Sequence, residues 1–400
     1  MRSQHGLGSR AVGAAVLCAL CLATTAAPIA VARAEVSFLQ LSRWNVARHL
    51  QPFALDTRAQ GVAPRLGSLL GQGVACAAQD TEDGTVVLAF LTPGMYPRTL
   101  SSGRERPPVA LTRAAPELWL ASSRGVVHVG DTDVSYLQRV RWVPTSPGPG
   151  RPAVPGPERL HTTELVSCAG CAADGNGVVW LAGSGPGNLV VAYVPAPGGA
   201  GANDPQWYAA WHWLRAVGQS AIATDPENGV WVYGAVALSD ERGQLPHGQL
   251  RHLALEGEAE DARIVELPSG PADDQIPRLV NPRMAVASDS TVWLVGETGA
   301  GDMLVEVRGG AVKQTPVPWE SSRGRRSRAV DVAPDGALLL ATDGAGVLTY
   351  RDGAWGVHPI TEHLPVLEGS DLKPVDDILV TEDGTLYAAC QFQVVIWKPG

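Results

Sequence analysis

Apolar residues in this chain fall in short runs, each entered through a turn, and no long stretch keeps the spacing of an amphipathic helix. The pattern is plainest from Ala329 to Trp355, AVDVAPDGALLLATDGAGVLTYRDGAW. An apolar run ends in an Asp-Gly turn, a second apolar run follows, then a Gly-rich turn, a third strand and a Trp-bearing fourth. Weaker copies recur, marked by seven apolar triplets: Val86-Val87-Leu88, Leu118-Trp119-Leu120, Val179-Trp180-Leu181, Val230-Trp231-Val232, Val292-Trp293-Leu294, Leu338-Leu339-Leu340 and Leu386-Tyr387-Ala388. Their centres lie 32, 61, 51, 62, 46 and 48 residues apart. A four-stranded repeat takes about 40 to 50 residues, and loop insertions account for the excess.

Six triplets follow a turn carrying Asp: Asp83-Gly84, Asp174-Gly175, Asp225 with Gly229, Asp289-Ser290, Asp335-Gly336 and Asp383-Gly384. Asp closes such a turn with its own side chain and Gly accepts positive φ. Each triplet is therefore expected to be the second strand of a unit. Apolar side chains at successive positions, without alternation, mean that both strand faces are covered. Units stacked side by side in a ring have that property. The expected fold is all-β, a single β-propeller of seven four-stranded blades over residues 74–400. The last repeat runs out after strands at Leu386 to Cys390 and Gln393 to Lys398. An irregular segment, residues 35–73, is expected to supply the missing closing strand, around Arg65 to Leu70, so that both termini close the ring.

Composition agrees, with 45 Gly, 31 Pro and only 18 % charged residues among 400. Residues 1–34 read as an export signal: Arg2 and Arg10, an apolar run from Ala11 to Ala27, and Ala32-Arg33-Ala34 before Glu35. The mature chain is thus expected to be exported, periplasmic or secreted, with no integral membrane segment. Removing the signal takes the formal charge from −9 to −12, which speaks against nucleic acid as a partner. Three Lys among 31 basic residues, with the Ala, Gly and Pro excess, suggest a GC-rich bacterial genome.

The stretch from Arg328 to Trp355, with VAPDGALLLATDGAGVLTY inside it, is similar to the two-component-regulator propeller repeat, with Leu339 where that family has Trp. Trp180, Trp231 and Trp293 hold that place elsewhere, and the other repeats resemble those of streptogramin-lyase-type propellers. The lyase resemblance implies an aromatic-Thr-Glu continuation and a catalytic His with acidic metal ligands. This chain has Ala182-Gly183, Tyr233-Gly234 and Val295-Gly296 there, so no catalytic residue carries over. The regulator resemblance implies a membrane helix and a signalling module, and neither follows before Gly400.

Four Cys follow the signal. Cys76 lies seven residues before Asp83 and Cys390 seven after Asp383, which places both at one height in blades that meet on closure, a candidate disulfide. Cys168-Ala-Gly-Cys171 allows haem attachment, zinc, a redox dithiol or a local disulfide. Ala172 stands where haem attachment needs His, and zinc lacks a second pair. The local bridge requires Gly170 to bulge the strand, because extended chain separates the Cα atoms by roughly 10 Å. On a strand, Trp207, Trp211 and Trp213 share one face, with Tyr208 and His212 on the other. Trp211 and His212 are candidates for a platform under a ring-shaped ligand, or for a stripe packed between blades. Arg323, Arg325, Arg326 and Arg328 cluster before a blade's first strand, either to grip an anion or to pair with neighbouring acids. No metal or cofactor motif occurs.

By strand alternation the long insertions, Pro144 to Leu160, Ala235 to Gly248, Pro268 to Arg283, Ser321 to Arg328 and Pro359 to Pro374, emerge on one rim. The expected function is a non-enzymatic, monomeric propeller binding a small molecule or protein there. The alternatives are a hydrolase or lyase at the mouth of the central channel, and a periplasmic sensor partner of a membrane kinase.

Overall fold

The structure is a computed structural model. It describes residues 34–40, 64–69, 73–79, 86–91, 98–99, 108–113, 118–122, 125–130, 141–144, 167–174, 176, 178–184, 188–194, 207–213, 216–226, 229–236, 247–257, 262–272, 275–318, 326–390 and 393–400. Val36–Lys398 is one compact unit.

The described strands form seven antiparallel sheets. Strand β1 (Glu35–Gln40) belongs to the last of them. The first blade is β2 (Arg65–Leu69), β3 (Gly73–Gln79), β4 (Val86–Phe90) and β5 (Arg98–Thr99). The second is β6 (Pro108–Leu111), β7 (Leu118–Ser122), β8 (Gly125–Gly130) and β9 (Arg141–Pro144). The third is β10 (Ser167–Ala173), β11 (Val179–Ser184), β12 (Asn188–Val194) and β13 (Trp207–Trp213). The fourth is β14 (Ala216–Thr224), β15 (Val230–Val236), β16 (His247–Glu256) and β17 (Arg263–Leu267), with β18 (Ile276–Pro277) paired to β16. The fifth is β19 (Val280–Val286), β20 (Val292–Thr298), β21 (Gly301–Arg308) and β22 (Ala311–Pro316). The sixth is β23 (Ser327–Val332), β24 (Leu338–Thr342), β25 (Val347–Arg351) and β26 (Ala354–Val357). The seventh is β27 (Asp377–Val380), β28 (Leu386–Cys390) and β29 (Gln393–Lys398), completed by β1 from the other end of the chain. The first strand of each blade packs against those of its two neighbours, and β2 packs against β27, which closes the ring of a β-propeller.

Two expectations are corrected. The closing strand is Glu35–Gln40, whereas Arg65–Leu69 is the innermost strand of the first blade. Val86-Val87-Leu88 consequently lies in a third strand, β4, while the other six triplets lie in second strands.

The triplets are apolar throughout because alternate residues face different neighbours. Val230 and Val232 join the cluster shared with the third blade, while Trp231 and Tyr233 join the one shared with the fifth. Leu294 faces back to the fourth blade, and Trp293 and Val295 face on to the sixth. Leu338 and Leu340 face the fifth, and Leu339 and Ala341 the seventh. The hydrophobic core is thus a set of seams between blades.

The turn Asp residues are of two kinds. A backbone bond from residue i to i+4 closes five turns: Asp174 to Val178, Asp225 to Gly229, Ala287 to Thr291, Ala333 to Ala337 and Thr381 to Thr385. Where the first position is Asp, it is buried and accepts the indole Nε1–H six residues on. Trp180 donates to Asp174 at 3.1 Å and Trp231 to Asp225 at 2.8 Å. Where that position is Ala or Thr, the Asp sits two residues later, exposed, and Oδ1 accepts a local backbone N–H, Thr291 on Asp289, Ala337 on Asp335 and Thr385 on Asp383, while Asp289 and Asp335 also pair with Arg308 and Arg351 and Asp383 accepts the Thr381 hydroxyl. The first kind ties a turn to an inter-blade seam, and the second shapes a turn. At the Asp225 turn Gly229 has φ +86°, and a Cβ there would lie 2.2 Å from the Leu253 carbonyl oxygen. Tyr233 fixes the connection into the fifth blade, its hydroxyl accepting from Leu279 N at 2.7 Å and donating to Pro277 O at 3.3 Å.

Replacing Asp174 with Ala strands the buried Trp180 N–H and two turn amides and is expected to cost about 2 to 3 kcal/mol. Asp383→Ala, in an exposed turn, is expected to cost less than about 1 kcal/mol. Urea unfolding of the two variants measures the difference.

Candidate functional site

The seven inner strands surround a cavity of about 320 Å³ with unequal walls. The second to fourth blades present mostly small side chains, among them Ala110, Ala169, Ala172, Ser220 and Ala223. The opposite side is charged: Arg65 from the first blade, Arg283 from the fifth, Arg328 and Asp331 from the sixth and Asp377 from the seventh. Arg113 follows β6 and reaches across.

Asp377 organises this wall. It opens β27 and is buried, so its carboxylate requires donors. Oδ2 accepts Leu66 N of the first blade at 2.8 Å, and Oδ1 faces Arg113 Nη2 of the second at 3.0 Å and accepts its own strand's Ile378 N at 3.0 Å. Arg113 also donates to the Ile378 carbonyl at 2.9 Å and pairs with Asp331 at 3.2 Å, while Asp331 Oδ2 accepts Val380 N at 2.9 Å. One guanidinium thus links the second, sixth and seventh blades. Burial alone would make Arg113 less basic, but Asp377 and Asp331 outweigh it and raise its pKa. Burial raises the Asp331 pKa despite Arg113.

Three further guanidiniums cluster where the inner strands begin. Arg65 Nη1 donates to the Asp376 carbonyl at 2.9 Å, and its buried Nε has no hydrogen-bond acceptor. Arg283 donates to two carbonyls, Nε to Arg328 O at 2.6 Å and Nη1 to Pro282 O at 3.0 Å. Its pKa is lowered to about 10 by burial, then by the neighbouring charges of Arg65 and Arg328. Arg328 lies 3.7 Å from Asp343. Burial pushes Asp376 up to about 6, against the pull of Arg65 and Arg328.

Of the four clustered arginines marked in the sequence, Arg323 and Arg325 lie outside the described residues. Arg326 pairs with Glu297 at 3.5 Å, and its backbone N–H donates to Asp343 at 2.6 Å. Arg326 and Arg328 therefore pair with acids of the fifth and sixth blades, and Arg328 alone of the two also lines the cavity. Trp211 is partly buried and packs against the cluster between the third and fourth blades, as the alternative of a stripe between blades expects. The side chain of His212 lies outside the described residues, as does that of Cys168. The register of β10 against β11 does shift between Cys168 and Gly170, where a local bridge would need a bulge, and Cys171 is buried.

Cys76 and Cys390 are both buried thiols, and the expected bridge is absent. Parity explains it. Cys76 faces the seventh blade with Leu379, Ala389 and Val394, but Cys390, one residue past Ala389, faces the sixth with Leu339 and Val347. Burial raises the pKa of both thiols. Arg65, Arg113, Arg283, Asp331 and Asp377 were not singled out in the sequence. For Arg283, Asp331 and Asp377 the one signal is a charge at a strand position where neighbouring repeats carry Ala or Gly.

The ring of seven sheets around this cavity defines a β-propeller. No protein-family model matches the chain, and no curated protein matches its sequence. Among solved structures, a streptogramin B lyase is similar over 91 % of this chain and 97 % of its own, at 10 % identity and a TM-score of 0.51. YCF48 bound to D1 peptide is similar over 91 % and 96 %, at 11 % identity and 0.50. The extracellular domain of a one-component system of B. thetaiotaomicron is similar over 86 % of this chain and 39 % of its own, at 12 % identity and 0.46. At such identities the likeness concerns the fold. No helix among the described residues is long and apolar enough to cross a membrane, and no group of three metal-binding side chains occurs among them.

Asp377→Ala leaves Leu66 N and Arg113 uncompensated at the closing seam. With Arg113 a third exposed, the expected loss is about 2 to 4 kcal/mol, read by chemical denaturation. Asp376 has a folded pKa above its unfolded value, so the stability it contributes is full below about pH 4 and is lost as pH rises through about 6. Asp376→Asn should remove that fall, and thermal melts of both proteins from pH 4 to 7 measure it.

Proposed function

We propose that this chain is an exported, non-enzymatic β-propeller that binds a ligand on the rim where its inner strands begin. One observation carries the reading. The strand order brings the described connections at 268–272, 275–279 and 358–376 to that rim, where Arg65, Arg283 and Arg328 also gather. Loops held on a rigid ring, beside a cavity with a few convergent polar groups, are the usual setting of a binding site. Export rests on the pattern of residues 1–34.

A second reading, a hydrolase or lyase at the channel mouth, draws on Asp376, a carboxyl held near pH 6 beside two guanidiniums. Against it, no His lines the cavity among the described residues, and the described carboxylates there hold Arg113.

The combined Arg323→Ala, Arg325→Ala and Arg326→Ala variant tests the rim. Anion-dependent stabilisation of the wild type, followed by thermal melts with citrate and phosphate, should drop at least about tenfold in apparent affinity. Unchanged affinity would remove these loops from the site.

A further inference from the structure

Two guanidiniums of the charged wall make no carboxylate contact, although the charge of Asp376 is felt by Arg65 and Arg328. Asp377 and Asp331 are committed to Arg113 and to backbone amides of other blades. Asp343 accepts the Arg326 amide and faces Arg328. Arg65 and Arg283, in contrast, meet only carbonyl oxygens, and Arg65 Nε is buried without an acceptor. A guanidinium presents five donors in a planar fork, and a carbonyl satisfies one of them. A buried donor left unmade is costly, so Arg65 and Arg283, turned to one cavity from two blades with Arg328 beside them, are a site lacking an acceptor.

We infer that Arg65, Arg283 and Arg328 form a receptor for the oxyanion group, carboxylate or phosphate, of a small molecule whose apolar part lies along the small-residue wall of the channel. The inference rests on the reading of this rim as the binding face and names its ligand chemistry. Oxyanions match the guanidinium fork two oxygens at a time, which a halide cannot do. The cavity of about 320 Å³ sits at the small end of the range for small-molecule sites, about 300 to 1,000 Å³. The opposite wall, with Ala110, Ala172 and Ala223, leaves room for a ligand body and offers it no charge. Burial, and after it the charges of Arg65 and Arg328, make Arg283 less basic, and an anion would relieve the part that comes from those charges.

The test uses the full-length mature protein, with sodium phosphate and sodium citrate as probes and chloride at equal ionic strength as control. Calorimetric titration should show saturable binding of at least one oxyanion and none of chloride. Phosphate alone would identify a phosphate group as the source, and citrate alone a carboxylate. Arg65→Gln and Arg283→Gln should each weaken binding by about tenfold or more, the equivalent of a lost charge-assisted hydrogen bond. Because either variant could fail to fold, the wild type is also labelled with phenylglyoxal and mapped by mass spectrometry. The bound oxyanion should protect Arg65, Arg283 and Arg328, whether or not the arginines of the loop before β23 are protected with them. Saturable binding with protection confined to Arg323, Arg325 and Arg326 would overturn this inference while leaving the rim as the binding face. No saturable binding of either oxyanion would overturn it outright. Binding that survives both Arg65→Gln and Arg283→Gln, with all arginines labelled equally, would do so too.

Discussion

The fold depends on closing a ring whose first and last blades are more than 300 residues apart in sequence, and one buried carboxylate makes the polar part of that closure. Asp377 accepts the Leu66 amide of the first blade and faces the Arg113 guanidinium of the second, while standing at the head of the last. Around it, Leu66, Val74 and Cys76 pack on Leu379, Ala389 and Val394. Strand β1 completes the outer edge of the last blade. Apolar packing contributes non-directional stability, and the carboxylate with its three donors fixes register. Every inner strand takes its place from that register, and so does the cavity between them.

The scaffold was legible in the sequence because its physics is local and repeated. Apolar triplets follow from blades covered on both faces, and seven triplets correspond to seven sheets among the described residues. What failed was parity and strand order. Cys76 and Cys390 were placed at a common height, but height does not say which face a side chain takes, and Cys390 turns to the other seam. The weak first repeat hid an extra inner strand, so Val86-Val87-Leu88 was assigned one strand too early. The turn Asp residues read as one class. Only geometry separates Asp174 and Asp225, which hold an indole, from Asp289, Asp335 and Asp383, which shape a turn.

The site was hardly legible, and for a physical reason. Arg283 and Arg328 come from the adjoining fifth and sixth blades, and ring closure brings Arg65 of the first blade to them. The sequence drew attention to the densest charge run, yet Arg326 and Arg328 there find acids of the fifth and sixth blades. Arg65 and Arg283, isolated in sequence, find only carbonyls. Local charge density was therefore a poor guide to unsatisfied charge. A cavity with one cationic and one small apolar wall suits a ligand with an acidic end and an uncharged body.

The most direct measurement is an electron-density map of the mature protein crystallised with citrate or phosphate. An anion within hydrogen-bond distance, about 3 Å, of at least two of Arg65, Arg283 and Arg328 is the expected result. A channel with no anion, its arginines turned onto Asp376 and Asp343, would contradict it.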